Sequence, residues 1–341
     1  AKSSFLTRGT MKQAGSMIYV AVVCPKDSKM LNYMPKIPGV EFLVANDIKT
    51  FQSYPKIKST EAVLWIPPGD TKVLGELWST IDAKWIHSFF AGVDGLADFV
   101  KEKKLAQSSV PLTNGRGAFS SSLAEYAMAT ILHFNKQIPR IQENSRKGKW
   151  DKFVMSTVKG KTIGLIGFGD IAKATAKLAR AFGMKVLAVR RSPGKGTGDG
   201  LADEVVGFED RLSVFASADF VVSVLPGTSE TLNFCGEKEF DAMKRTGVFI
   251  NIGRGVTVDE AALCKALDAK KIVGAALDVF HTEPLPESSP LWKRENVLIT
   301  AHNADFTEDY AEQGWRVWQE NYNAARSGKT MVTPVQKELG Y

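Results

Sequence analysis

The chain has 341 residues, 44 % of them apolar and 24 % charged, enough for two packed domains. No apolar run approaches the ~20 residues that cross a bilayer, and three scattered cysteines, Cys24, Cys235 and Cys264, form neither a disulfide framework nor a zinc pattern. A net charge of +7 invites a nucleic-acid reading, but the lysines and arginines are spread along the chain without a nucleic-acid motif, so the expected partners are small anions.

Residues 1–16 carry Lys2, Arg8 and Lys12 and no acid, which fits either a ragged start or the remains of a targeting peptide. From Met17, short apolar runs alternate with helical or polar stretches. Residues 18–24, 41–45, 62–66, 85–90 and 110–113 read as strands of one small parallel sheet. Ser120 opens a helix in which Leu123, Ala127, Ile131, Phe134 and Ile138 recur at steps of three and four, and beyond Pro139 the chain turns polar as far as Trp150. A second strand series follows at 162–168, 185–189, 220–225, 248–252, 274–279 and 297–300. Residues 307–326 close as an amphipathic helix with Ala311, Trp315, Trp318, Tyr322 and Ala325 on one stripe, expected to pack back on the first domain.

This rhythm predicts an α/β fold of two Rossmann- or flavodoxin-like, doubly wound parallel-sheet domains with the active site in the cleft between them. The expected division is a discontinuous substrate-binding domain (17–113 plus 306–341), a dinucleotide-binding domain (114–305) and an extension at 1–16.

The stretch Gly164-Leu-Ile-Gly167-Phe168-Gly169-Asp170-Ile171-Ala172 lies between a predicted strand and a predicted helix. There Gly167 permits the tight turn, Gly169 lets the backbone approach a pyrophosphate, and Ala172 lets the helix lie close to the sheet. The helix start supplies N–H donors to the phosphates. Phe168, Asp170 and Ile171 complete this predicted cofactor turn, with Asp170 expected to face solvent. At the end of the next strand, where NAD sites keep an acid, the chain reads Val189-Arg190-Arg191-Ser192. Two guanidinium groups and a hydroxyl suit a 2′-phosphate, so NADP(H) is expected to be preferred, with NAD(H) as the alternative.

Three later apolar runs stop at an ionisable residue: Ile250-Asn-Ile252-Gly253-Arg254, Leu277-Asp278-Val-Phe-His-Thr-Glu283 and Ile299-Thr-Ala-His302. Buried strands look like this when their carboxyl ends deliver functional side chains. Arg254 offers a planar fork matched to a carboxylate, His302 is a proton donor suited to neutral pH, and Glu283 can orient it and favour its charged form. These three are the predicted catalytic residues. His87, His133 and His281 read as structural, and no metal site is expected.

Together these motifs resemble the D-isomer-specific 2-hydroxyacid dehydrogenases over nearly the whole chain from Met17. The matching pieces are Ala91-Gly92-Val93-Asp94, Ala124-Glu125, Gly167 to Ala172, Leu225-Pro226-Gly-Thr228, Asn251 to Gly255, Leu277-Asp278-Val-Phe, Glu283-Pro284 and His302. Within the family the chain looks most like the glyoxylate/hydroxypyruvate reductase A branch. That branch carries a Trp-x-Pro-Pro loop (here Trp65 to Pro68), a Glu-Pro-Leu-Pro segment (Glu283 to Pro286) and a final Gly-Tyr (Gly340-Tyr341).

The resemblance implies that Arg254 grips the substrate carboxylate and polarises the keto oxygen, and that His302 is the general acid in reduction, supported by Glu283. It implies that the backbone of Ala91, Gly92 and Val93 binds the same carboxylate. Trp65, on a Pro-Pro loop at a strand's end, reads as a substrate wall or as a plain hydrophobic cover. Asp278 would accept from the nicotinamide carboxamide, with Leu225, Pro226, Thr228, Ile252, Gly253 and His302 lining the cofactor groove. The implied activity is NADPH-preferring reduction of a small anionic 2-keto acid, such as glyoxylate or hydroxypyruvate, to a D-2-hydroxy acid. The implied assembly is a homodimer built on the cofactor domains, with residues 120–150 reaching to the partner.

Alternatives are a reductase of a bulkier 2-keto acid or a dinucleotide-sensing corepressor or scaffold. A phosphoglycerate dehydrogenase with a regulatory domain is disfavoured because no long extension follows Gly328. The expected setting is cytoplasmic, or organellar if residues 1–16 are a transit remnant, with no membrane or nucleic-acid partner. Two departures stand out: Ala172 replaces the commoner Gly, and Asn303-Ala-Asp305 is more polar than the small residues usual after the catalytic His.

Overall fold

The structure, a computed structural model, describes residues 16–193 and 199–341. The extension expected at 1–16 lies outside the described residues, save Ser16. The described residues form two compact units, 16–119 with 308–341, and 120–193 with 199–307.

In the first unit, apolar residues form strands that, apart from the half-buried edge strand β2, are buried on both faces, as a parallel sheet requires. Its elements are β1 (Ile18–Val23), β2 (Val40–Ala45), α1 (Ile48–Ser53), β3 (Thr60–Trp65), α2 (Thr71–Trp78), β4 (Trp85–Ser88), α3 (Ala97–Glu102) and β5 (Leu112–Asn114). The strands run parallel in the order β2-β1-β3-β4-β5, the flavodoxin-like order. Side chains alternate between the faces. Ile18, Val20 and Val22 join one core layer, while Ala21 and Val23 join the other.

The second unit contains α4 (Ser120–Asn135), α5 (Ile138–Arg146), β6 (Thr162–Ile166), α6 (Asp170–Ala181), β7 (Lys185–Val189), β8 (Glu204–Val206) and α7 (Arg211–Ser217). It continues with β9 (Phe220–Ser223), α8 (Glu237–Ala242), β10 (Val248–Asn251), α9 (Glu260–Asp268), β11 (Gly274–Leu277) and β12 (Val297–Ile299). Seven parallel strands lie in the order β12-β11-β10-β9-β6-β7-β8, the Rossmann order with one strand added, and it reverses between β6 and β9. Gly164 in β6 is required by packing, since a Cβ there would stand 2.8 Å from Val214 and 3.0 Å from Ala218 on and just after α7.

Helix α10 (Tyr310–Arg326) then lies on the first sheet. Trp318 is fully buried and stacks on Trp85 with ring centroids 5.7 Å apart. Gly314 allows the approach, because a Cβ at that position would collide with the Phe89 ring.

Three local departures from the sequence expectations have simple causes. β8 is three residues long, too short to show a period. The helix expected to run through Ile138 stops at Asn135 because Gln137 adopts φ +54°, and a new helix starts with Pro139 in its first turn. The closing helix begins at Tyr310, three residues later than expected. Among the described residues no helix is long and apolar enough to cross a membrane, and no acid, His or Cys cluster could hold a metal.

Candidate active site

The glycine turn follows β6 directly. Gly167 has φ +94°, and a Cβ there would press on the Val224 carbonyl at 3.3 Å, so glycine serves both the turn and the packing. At Gly169 a Cβ would meet nothing within 4 Å, and no side-chain cap closes the start of α6. The turn thus presents open backbone at a helix N-terminus, the arrangement suited to a phosphate. The Phe168 side chain is buried, Ile171 half-buried and Asp170 exposed. Ala172, in the first turn of α6, is fully buried.

At the end of β7, Arg190 and Ser192 are exposed. Arg191 Nη1 lies 3.2 Å from Glu230 Oε2. Thr231, which the sequence reading passed over, organises the loop that carries Glu230. Its buried hydroxyl donates to the Pro226 carbonyl at 2.6 Å and accepts from the Thr228 N–H at 2.9 Å. Leu225 is buried, while Pro226 and Thr228 are half-buried.

Arg254 leaves the carboxyl end of β10 between two glycines that admit no substitute. A Cβ on Gly253 would stand 2.6 Å from the Leu225 carbonyl, and one on Gly255 would overlap the Phe280 carbonyl group. Buried Asn251 and Thr257 clamp the arginine backbone: the Arg254 carbonyl accepts from Asn251 Nδ2 at 3.1 Å, Thr257 Oγ1 at 2.7 Å and the Thr257 N–H at 3.2 Å. Asn251 Oδ1 in turn accepts from the Gly253 N–H at 3.1 Å. The half-buried guanidinium donates to the Gly253 carbonyl at 2.9 Å. Asn251 was visible in the sequence as a polar residue closing an apolar run, but its partners were not.

Glu283 and His302 follow the next two strands, β11 and β12, and they meet. His302 Nδ1 lies 2.7 Å from Glu283 Oε2, while Glu283 Oε1 accepts from the Phe280 N–H at 2.8 Å. A carboxylate can only accept, so Nδ1 carries a proton and Nε2 is the face offered to a ligand. His302 sits at φ +50°, held by its N–H donating to the Asp278 carbonyl at 2.8 Å.

The Asp278 side chain, 1 % exposed, anchors the same loop. Its Oδ1 accepts from Thr300 Oγ1 at 2.6 Å and the Asn303 N–H at 3.1 Å, and its Oδ2 from the Ala304 N–H at 3.2 Å. Because the Thr300 proton goes to Asp278, its oxygen must accept from the Tyr126 hydroxyl, 2.7 Å away on α4. Ser122 on the same helix donates to the Ala304 carbonyl at 2.6 Å. Burial raises the Tyr126 pKa, which keeps the phenol a donor. Three of the carboxylate's roughly four lone pairs are used in this way; the remaining one, on Oδ2, is what the sequence reading gives to a cofactor amide.

In the first unit, Ala91, Gly92 and Val93 form a turn after β4. The Ala91 carbonyl accepts from Asn114 Nδ2 at 2.6 Å. Among the described residues no acceptor meets the three N–H groups of this turn. Trp65 is 6 % exposed within a core layer, its indole N–H donates to the Gly69 carbonyl at 2.7 Å, and its ring lies 2.8 Å from where a Gly95 Cβ would stand, so the ring packs beneath the 91–95 turn. His87 is fully buried and His133 half-buried, and burial lowers both pKa values.

Residues 128–304 match the family model for the NAD binding domain of D-isomer specific 2-hydroxyacid dehydrogenases. A D-3-phosphoglycerate dehydrogenase of Archaeoglobus fulgidus is 31 % identical over 293 residues, covering 85 % of this chain and 54 % of the relative, so the chain spans about half of that protein's length. A glyoxylate reductase of Korarchaeum cryptofilum is 32 % identical over 251 residues, 71 % of this chain and 74 % of the relative. The solved D-isomer specific 2-hydroxyacid dehydrogenase of Xanthobacter autotrophicus Py2, in complex with NADPH and MES, is 25 % identical with a TM-score of 0.79, covering 96 % of this chain and 100 % of that one. With the two parallel sheets and the motifs at their strand ends, these matches show that the chain belongs to the D-isomer specific 2-hydroxyacid dehydrogenase family.

Proposed function

We propose that the protein reduces a small 2-keto acid, of the glyoxylate or hydroxypyruvate kind, to the D-2-hydroxy acid, with NADPH as preferred reductant. The observation that carries this reading is the Glu283–His302 hydrogen bond at 2.7 Å, set one strand away from the clamped Arg254. Arg254 binds the substrate carboxylate through its planar fork and draws electron density from the keto oxygen. His302, oriented through Nδ1 by Glu283, delivers the Nε2 proton to the keto oxygen as it gains charge.

The residues fit a nicotinamide dinucleotide: open backbone at Gly169, an uncapped helix start, and Arg190, Arg191 and Ser192 where a 2′-phosphate would lie, with no acid among them. Such a cofactor supplies the hydride when bound. NADPH in the Xanthobacter relative supports the same preference. The last Asp278 lone pair suits the carboxamide, and the 225–228 loop with Ile252 and Gly253 suits the rest of the groove. A second copy of the chain is the proposed cover for Trp150 and Val154, 98 % and 91 % exposed after α5, which sedimentation of the purified protein would test.

The direct test follows NADPH and NADH oxidation with a panel of 2-keto acids. His302→Ala should cost about a hundredfold to ten-thousandfold in turnover, the range for a lost general acid, and leave NADPH binding intact. Tight NADPH binding with no turnover of any keto acid would instead favour the dinucleotide-sensing alternative.

A further inference from the structure

Three successive carbonyls of the turn after β4 are each held by a donor of the same unit. The Phe90 carbonyl accepts from the Gly115 N–H at 3.1 Å and from Ser88 Oγ at 3.3 Å. The Ala91 carbonyl accepts from Asn114 Nδ2 at 2.6 Å, and the Gly92 carbonyl from Ser88 Oγ at 3.5 Å. The Asn114 amide fits only one way round: the Ala91 carbonyl requires Nδ2, and the Arg116 N–H, 3.3 Å from the other end, requires Oδ1. Asn114, closing β5, and Ser88, closing β4, are both buried, whereas Ala91 and Gly92 are half-buried.

Asn114 is itself fixed from behind. Its N–H donates to the Thr333 carbonyl at 3.3 Å, and its carbonyl accepts from Thr333 Oγ1 at 2.6 Å. That hydroxyl accepts in turn from Nδ2 of fully buried Asn321 on α10, 2.9 Å away. The next residue has to be glycine, because a Cβ on Gly115 would stand 2.2 Å from the Phe89 carbonyl oxygen. The end of β5 is thus pressed against the turn.

A trans peptide is planar, with its C=O and N–H on opposite sides. Holding the Phe90, Ala91 and Gly92 carbonyls therefore aims the N–H groups of Ala91, Gly92 and Val93 the other way. Ser88 reaches both the first and the third carbonyl, so these face one side and the N–H groups that follow face the other. Water satisfies the carbonyls of a half-exposed turn equally well; what the two buried side chains add is direction. The family resemblance gives this turn the substrate carboxylate, and building on that reading we infer that Asn114 is a positioning residue. It sets the direction of the Gly92 N–H, while Ser88 helps to set those of Ala91 and Val93, so the turn is a cradle shaped in advance for one carboxylate. Donors aimed beforehand need no reordering when the anion arrives.

The test measures kcat and KM for glyoxylate and hydroxypyruvate, and the NADPH Kd by fluorescence, in the unmutated protein and three variants. Asn114→Ala should raise KM for both keto acids by about tenfold to a hundredfold, the range for one hydrogen bond to a charged group. Its kcat and NADPH Kd should hold, the pattern of lost uniform binding. Asn114→Leu keeps the bulk but cannot donate, so it should be as impaired as Asn114→Ala. Ser88→Ala, which removes two longer bonds, should give a smaller rise of the same kind. Near-normal KM in the Asn114 variants overturns the inference, and so does recovery in Asn114→Leu alone, which would make the contact one of packing. A joint loss of kcat, KM and NADPH affinity also overturns it, since Asn114 would then only hold its unit together. Should neither Asn114 variant fold, Ser88→Ala decides by the same criteria. If the unmutated protein reduces neither keto acid with either nucleotide, the reductase reading itself fails and takes this inference with it.

Discussion

His87 makes the stability of the first unit depend on pH in a way that can be calculated. It lies in β4 with no exposed surface, Nδ1 2.7 Å from Thr113 Oγ1, and Nε2 without a hydrogen-bond partner among the described residues. Burial pushes its pKa from 6.5 down to about 3. The folded chain therefore keeps the ring neutral while the unfolded chain protonates it below about pH 6.5, so the unfolded state binds more protons and stability falls as the pH drops. The contribution is fully present above pH 6.5 and declines by about 1.4 kcal/mol per unit toward pH 3, about 5 kcal/mol in all as an order of magnitude. Between pH 6.5 and 5, before most carboxylates titrate, about 2 kcal/mol should be lost, a large share of a typical domain's ~5–15 kcal/mol. Urea unfolding at pH 7, 6 and 5 followed by tryptophan fluorescence suits the purpose, since five of the seven tryptophans belong to this unit. His87→Gln, whatever its absolute stability, should lose this slope. Parallel pH dependence in the two proteins would refute the reasoning.

The other predictions concern the site. Arg254→Lys keeps the charge but loses the fork, so kcat/KM for keto acids should fall by about a hundredfold with an unchanged melting temperature; near-normal kinetics would make Arg254 structural. Glu283→Gln keeps the shape and removes the charge beside His302, so turnover should fall by at least about tenfold while the NADPH Kd holds, which stopped-flow and fluorescence titration would separate. Replacing Arg190 and Arg191 together with Ala should raise the NADPH KM by roughly a hundredfold and the NADH KM far less, since each charge-assisted hydrogen bond is worth about 1.5–3 kcal/mol; equal kinetics with both cofactors in the unmutated protein would end that reading.

Both sheets were legible because buried parallel strands are continuous apolar runs, and the points where those runs stop at Arg254, Glu283 and His302 are chemically abrupt. Nothing local announced the rest. Tyr126 and Thr300 are 174 positions apart, and a contact between them leaves no periodicity in either segment. The same holds for Ser122 and Ala304, which join α4 to the loop bearing His302. The packing of Trp65 was hidden for a related reason. An aromatic residue at the end of an apolar run looks alike whether its ring turns outward or, as here, tucks under a neighbouring turn with its N–H spent on Gly69. β8 escaped because three residues are too few to show a pattern.

The two glycines flanking Arg254 bear on how such a protein can evolve. Either one exchanged for alanine drives a methyl group into the backbone at Leu225 or Phe280, so the neighbours of the arginine cannot drift without displacing it. The loop is frozen around one functional side chain. An ancestor seeking a new substrate could not have reshaped this segment in small steps and stayed folded. Innovation is channelled instead to segments such as Asn303 to Asp305, where the chain hangs from side-chain and backbone hydrogen bonds and a change of residue leaves its path intact.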